Sequence, residues 1–416
     1  MNENASAKSG PWLLSLLDAL GRVSDEEGRL TRTFLSPAMR RANALVGGWM
    51  REAGLAVRED SVGNLIGRAE GAKVGAKTLL LGSHLDSVRD AGRFDGPLGV
   101  LLPIVALREL RRRGVTLPFA VEVLGFSEEE GVRFASAYLG SEGYTGRLKA
   151  KTLVLRDSTG VSVGDALKEF GGGNFSLPKA AHSRGDLLGY VEVHIEQGPV
   201  LEAKGLAVGV VSAIAGQSRF KLTWTGQAGH AGTTPMALRR DALTGAAEFA
   251  LAVEKRARGM TGLVATVGAL AVSPGAANVI PGQVVHTLDV RQACDAKRRA
   301  ALLEFGKVAA RIAKQRGLTV AWQRTQDNGA VDCSPGLTAL LERSVKAVQG
   351  KSLSLVSGAG HDGVVMSALT PVAMLFVRCR DGLSHHPDEY ASAADLEIAL
   401  RVMVDFLQRM AQQHAS

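Results

Sequence analysis

Apolar and polar positions along the chain fall into two regimes. In the first, short apolar runs at 77–81, 119–126 and 190–195 read as strands, and an amphipathic stretch at 98–113 reads as a helix. Alternation of this kind is the signature of an α/β layer. The middle of the chain reads differently, as a strand at 220–224, helix 236–258, strands 263–272 and 284–290, helix 296–316 and strand 318–322. That βαββαβ order is the split, ferredoxin-like unit. The first regime then resumes with helix 336–348, strands 354–356 and 372–377, and a closing helix at 396–413. The pattern predicts a discontinuous α/β domain at 1–212 and 326–416, with a self-contained α+β domain inserted at 213–325. A chain of 416 residues has room for both.

Composition narrows the partners. There are 49 basic and 41 acidic side chains, a net charge of +8, and only 5% aromatics. The longest basic run is Arg111-Arg112-Arg113. A nucleic-acid-binding chain clusters its charge and adds stacking aromatics, so that class is not expected. The apolar stretch at 100–107 is far too short for a membrane span. No basic and apolar leader opens the chain, and Cys294, Cys333 and Cys379 are odd in number and widely spaced. The expected location is cytoplasmic. Glycine is enriched: 49 residues, roughly 12% against a usual share of about 7%.

The candidate chemistry sits where the strands end. The three strands of the first regime run into Gly82-Ser83-His84, Ser127-Glu128-Glu129-Glu130 and Glu196-Gln197, and α/β sheets build their sites at carboxyl ends. His84 can offer a ring nitrogen to a metal, while Asp86, two residues on, can hold the other ring nitrogen. Asp95 precedes Gly96 on a turn before a helix. Three acids after an apolar strand call for neutralising cations, and His194 lies within an otherwise apolar strand. His385 sits in a loop ahead of Pro387. A core histidine bonded to a loop aspartate and a solvated acidic turn are the structural alternatives for the separate pieces. Taken together, His, Asp and Glu without Cys suit Zn²⁺ or Mn²⁺ in an open site. Two ions about 3.5–4 Å apart would share one bridging carboxylate.

From about Asn64 to Asp405 the chain resembles the M20-type metallohydrolases, in the branch of allantoate amidohydrolases and N-carbamoyl-L-amino-acid hydrolases. The resemblance is carried by HLDSVRDAGRFDGPLGV, FSEEEGVRF, GYVEVHIEQGPVLE, GHAGTTPM, NVIPGQ, SGAGHDG and MLFVRCRDGLSHHPDE. It implies a zinc-peptidase-like catalytic domain with the insert as a lid and dimerisation domain, and hence a homodimer. It implies two divalent ions, with Asp95 bridging, His84 and His194 completing one position, and Glu130 and His385 the other. Glu129 would be the general base, with Glu128 the neighbouring register of the same acidic run, and Asp86 would assist catalysis through His84. His386 departs from the small or polar residue that often follows the ligand histidine, and it would compete for metal.

The same resemblance implies that Asn278 and Arg291 clamp a substrate carboxylate with help from Gln217, and that His230 stabilises the oxyanion. A planar guanidinium suits a carboxylate better than an ammonium does. Gly360, His361 and Gln197 would line the substrate cavity. Gly82, Gly92, Gly96, Gly198, Gly229, Gly232, Gly358 and Gly360 all flank these positions, which gives part of the glycine excess a place. The implied substrate is a small ureido acid. GVRF, GQSR and MLFVRCR are closer to the allantoate branch, which yields ureidoglycine, ammonia and carbon dioxide. An N-carbamoyl-L-amino acid is the alternative substrate. A peptidase and a non-catalytic binder are the other classes, and the full ligand set speaks against the latter.

Overall fold

The computed structural model describes residues 9–173 and 175–414. Residues 1–8, on which the reading of the leader partly rests, lie outside them. The chain forms two compact units, Met1–Ser212 with Cys333–Ser416, and Ala213–Asp332.

The first unit is built on a mixed sheet. Four neighbouring strands are parallel, in the order Ala120–Phe126, Thr78–His84, Leu187–Ile195 and Val372–Val377. Antiparallel strands flank them, Leu65–Ala69 and Ala56–Glu59 on one side and Val208–Ile214 on the other. Every residue of Thr78–His84 and Ala120–Phe126 is buried. That is the reason these stretches read as continuous apolar runs, since a parallel sheet is covered on both faces. The helices Ser9–Gly21, Pro97–Arg112, Pro335–Gln349 and Ala393–Gln413 contribute buried apolar faces to this core. The last begins sharply because the Ser392 hydroxyl accepts the Asp395 N–H at 3.1 Å.

One buried polar network inside this unit has a measurable consequence. Glu122 projects from the strand Ala120–Phe126 and accepts hydrogen bonds from Arg68 (3.1 Å) and the Tyr144 hydroxyl (2.7 Å), with His182 Nε2 at 3.1 Å. Burial alone would raise its pKa, but His182, Tyr144 and Arg68 together hold it down at about 2. A carboxyl depressed from its ordinary 4.5 stabilises the fold fully above that value, and the contribution is lost as pH falls toward 2. Glu122→Gln should therefore cost about 2–3 kcal/mol at neutral pH and flatten the acid limb of stability. Denaturant titrations of chelator-treated protein from pH 6 to 2.5 check this, and an acid limb unchanged by the substitution would refute it.

The second unit is an antiparallel sheet with strand order Leu270–Ser273, Gln283–Gln292, Gly216–Thr225 and Thr319–Asn328. The helices Ala242–Arg258 and Asp295–Arg316 bury Phe249, Val253, Phe305 and Ile312 with Leu222 and Trp224. The element order is the βαββαβ read from the pattern, with three local differences. The helix expected from 236 starts at Ala242, because the Asp241 carboxylate caps the N–H groups of Leu243 (2.9 Å) and Thr244 (3.3 Å). The strand expected at 263–272 is interrupted, giving Val264–Thr266 and Leu270–Ser273, with the Thr287 hydroxyl accepting the Ala269 N–H at 3.0 Å beside the break. The last strand runs on to Asn328, so the unit ends at Asp332 rather than at 325.

Candidate metal centre

The parallel strands deliver the candidate ligands at their carboxyl ends. His84 is the last residue of its strand, the three glutamates follow Phe126, and His194 is the penultimate residue of Leu187–Ile195. The segment after Val372–Val377 supplies His385. Asp95 lies among them, and its two oxygens face different partners. Oδ1 is 3.7 Å from His84 Nε2 and 3.0 Å from His194 Nε2, while Oδ2 is 3.1 Å from His385 Nε2. His385 Nε2 is also 3.6 Å from Glu130. Two trios result, His84–Asp95–His194 and Asp95–Glu130–His385, each with its ligand atoms within 4.8 Å of one another. One carboxylate belongs to both.

The surroundings prepare these groups for a cation. The Ile195 carbonyl lies 2.9 Å from His194 Nδ1, and Asp86 lies beside His84 Nδ1 through its carbonyl (3.1 Å) and its carboxylate (3.3 Å). With each Nδ1–H donating outward, both Nε2 lone pairs turn toward Asp95, as metal ligation requires. Asp86 does more than orient a ring. Its oxygens accept the backbone N–H groups of Glu129 (3.0 Å) and Glu130 (3.2 Å), tying the acidic loop to the histidine strand.

Asp86, Asp95, Glu128, Glu129, Glu192, Asp362 and Glu389 are all buried in this unit, and buried carboxylates need cations or protons. Burial pushes Glu129 well above the usual carboxylate range, and Glu130, Asp362 and Asp86 add to it. Burial and Asp95 lift Glu130 to about 7. Asp95 is held well below the normal range despite its burial, because three histidines face it. The hydrogen bond to Asp95 raises His385 to about 9. The donor set therefore fits divalent ions, which would take the place of these protons.

Other expected residues fall into distinct places. Glu128 belongs to none of the close groups: it accepts a hydrogen bond from the Gly131 N–H and lies against the Asp86 carboxylate, whereas Glu129 joins His84 and Glu130 in a third close group. His386 bonds to the Asp388 N–H at 3.1 Å and shapes its own turn. Gln197 lies against Asp95 itself, donating to Oδ2 at 2.9 Å and to Ser384 at 3.1 Å. His361 is buried edge-on to His194, with ring centroids 4.5 Å apart and Ser357 Oγ at 2.7 Å from Nε2. Its burial and the nearby His194 keep it neutral, well below its ordinary pKa. Gly360 adjoins the same region: a β-carbon there would stand 2.1 Å from the Tyr138 hydroxyl and 3.9 Å from Glu129 Oε1.

Three supporting residues escaped the sequence reading. Glu389 accepts the N–H groups of Phe94 (2.9 Å) and Asp95 (3.1 Å), and the Ser384 hydroxyl donates to it at 2.9 Å. Glu192 receives the Ser83 hydroxyl at 2.7 Å. Its alternation with His194 on one apolar strand was an available signal; Ser384 and Glu389 lie in the string around His385, MLFVRCRDGLSHHPDE, but no local pattern gave either a role.

In the second unit, His230 pairs across a two-stranded ladder with Val279, and the Ala231 N–H donates to the Asn278 carbonyl at 2.9 Å. His230 Nδ1 accepts from the N–H groups of Gly232 (3.1 Å) and Thr233 (3.2 Å). A neutral ring held this way carries its proton on Nε2, where it can donate. Gln217 and Arg291 are directly opposite each other on adjacent strands.

The family model described as peptidase family M20/M25/M40 matches residues 80–409, a span that holds every residue of both trios. The chain belongs to this family. M20 enzymes are metal-dependent, in keeping with the donor groups around Asp95. The chain is 42% identical to allantoate deiminase 2 of Glycine max, over 94% of this chain and 87% of the relative. It is 41% identical to an N-carbamoyl-L-amino acid amidohydrolase of Geobacillus stearothermophilus, over 97% and 99% of the two chains. Its backbone is similar to the crystal structure of an amidase of the hydantoinase/carbamoylase family from Burkholderia multivorans, with a TM-score of 0.91 at 33% identity, covering 97% of this chain and 98% of the other. No helix among the described residues is long and apolar enough to cross a membrane.

Gly96 shows how tightly this M20 centre is packed. Its φ of +84° lies in the left-handed region, and a β-carbon would stand 2.5 Å from the His84 ring. Gly96→Ala should displace His84 and weaken metal retention by roughly tenfold or more, the range seen when support around a ligand is lost. Competition with a chelating dye measures this, and wild-type retention would refute it.

Proposed function

We propose that this M20 chain is a two-ion amidohydrolase that cleaves the ureido group of allantoate to ureidoglycine, ammonia and carbon dioxide. The observation that carries the reading is the shared Asp95 carboxylate, one oxygen toward His84 and His194, the other toward His385. In this reading Asp95, His84 and His194 hold one ion, and Asp95, Glu130 and His385 the other. The N/O donor set suits Mn²⁺ or Zn²⁺. Such ions, when bound, supply Lewis acidity toward the carbonyl and ease deprotonation of water.

The remaining chemistry belongs to the chain. Glu129 takes the proton of the attacking water and returns it to the leaving nitrogen, a role suited by its place beside His84 and Glu130 and outside both trios built on Asp95. Asp86 holds the Glu129 loop and the His84 ring in register. His230 donates from Nε2 to the oxyanion, and Asn278, Arg291 and Gln217 bind the substrate carboxylate. Gly360 and His361 line the substrate side, and Gln197 steadies Asp95. A homodimer formed through the second unit and a cytoplasmic location complete the proposal. Cys294, Cys333 and Cys379, none of them in a disulfide among the described residues, support that location.

Allantoate is favoured by the 42% identity to a plant allantoate deiminase. The N-carbamoyl-L-amino acid reading rests on a relative of nearly equal identity aligned along its whole length. Ammonia release from both substrate classes by metal-loaded enzyme separates them. The expected result is a kcat/KM at least tenfold higher for allantoate, and the reverse order would overturn the assignment.

A further inference from the structure

The outward face of the second unit's sheet carries an arrangement that no role assigned so far explains. Residues 217, 219, 289 and 291 alternate outward on two paired strands, with Gln217 opposite Arg291 and Arg219 opposite Asp289. The Asp289 carboxylate collects all three neighbours. Arg291 donates to it twice, Nε to Oδ1 and Nη2 to Oδ2, both at 2.9 Å. Gln217 Nε2 and Arg219 Nε each reach Oδ2 at 2.7 Å, and Arg219 is held on its other side by Gln326 at 3.1 Å.

We infer that Asp289 is the positioning residue of the carboxylate clamp, fixing the planes of Arg291 and Gln217 and setting the charge of the site. The inference rests on the reading of Arg291 as that clamp. A guanidinium gripped along its Nε–Nη2 edge cannot rotate, so its plane is set before substrate arrives. Asp289 faces both arginines and offsets part of their charge. Without Asp289 the two cations repel each other and the Gln217 amide loses its anchor. Burial would raise the Asp289 pKa, but Arg291 and Arg219 keep it below the usual carboxylate range, so it stays ionised wherever the enzyme works. Arg219 becomes the second cation of the face.

The test is a double-mutant cycle of Asp289→Asn and Arg291→Ala, reading KM and kcat on whichever ureido acid the wild type turns over best. The expected result is a KM raised about tenfold by Asp289→Asn with kcat within about threefold. Once Arg291 is replaced, Asp289→Asn should add little. A merely structural aspartate would lower the melting temperature and multiply its effect on KM independently of Arg291, which would overturn the inference. So would a wild-type KM in Asp289→Asn while Arg291→Ala raises KM. If Arg291→Ala itself leaves KM unchanged, the clamp reading fails first and carries the inference with it.

Discussion

Replacing Glu129 by Gln should lower kcat by roughly a thousandfold while leaving bound metal at the wild-type level, a loss within the range assigned to a positioned general base. The argument is geometric. Glu129 is buried beside His84 and Glu130, its backbone is fixed by Asp86, and it belongs to neither trio built on Asp95. Glutamine keeps the shape and one acceptor oxygen but cannot accept the proton of water. The same substitution at Glu128 should leave kcat within a few-fold, because that side chain bonds to the turn at Gly131. Parallel kinetics and metal analysis of the two variants check the register of the acidic run. A large loss at Glu128 with little at Glu129 would reverse the assignment.

Asp95→Asn should have the largest effect on the centre itself. A neutral amide offers one oxygen where the carboxylate offered two, so both trios lose a charged donor at once. Metal content should fall for both positions together, and activity with it. The thermal stabilisation conferred by added Mn²⁺ or Zn²⁺ should collapse toward zero, since a ligand stabilises only through its affinity for the folded state. Without metal the variant should be less stable than the wild type at neutral pH, because a carboxylate held well below its ordinary range by three histidines stabilises the fold. Melting curves across a metal titration give the answer. A stabilisation by metal equal to that of the wild type would exclude Asp95 as the shared ligand.

The first unit was legible in the sequence where candidate chemistry and local pattern coincide. His84, the glutamate run and His194 each interrupt an apolar strand end, and polar residues in such places have few structural explanations. The insert was legible from element order alone, because strand and helix periodicities are local. What escaped depends on contacts made far along the chain. Glu389 caps the N–H groups of Phe94 and Asp95, 295 and 294 positions away, and although it closes the string around His385, nothing local shows those distant partners. Gln197 lay in a promising motif, yet it reaches Asp95 because its backbone takes a φ of +54°. His386 follows His385, and its Nδ1 accepts the Asp388 N–H, a contact within its own turn that the sequence did not show. Boundaries moved where a cap or an interruption intervened, as at Asp241 and between Val264–Thr266 and Leu270–Ser273.

The most direct test of the account is the number of divalent ions retained per chain, measured by elemental analysis on metal-saturated wild type and on Asp95→Asn after removal of free ions. The shared-carboxylate centre predicts about two ions per wild-type chain and loss from both positions in the variant. A single ion in the wild type, or a variant that loses none, would contradict it.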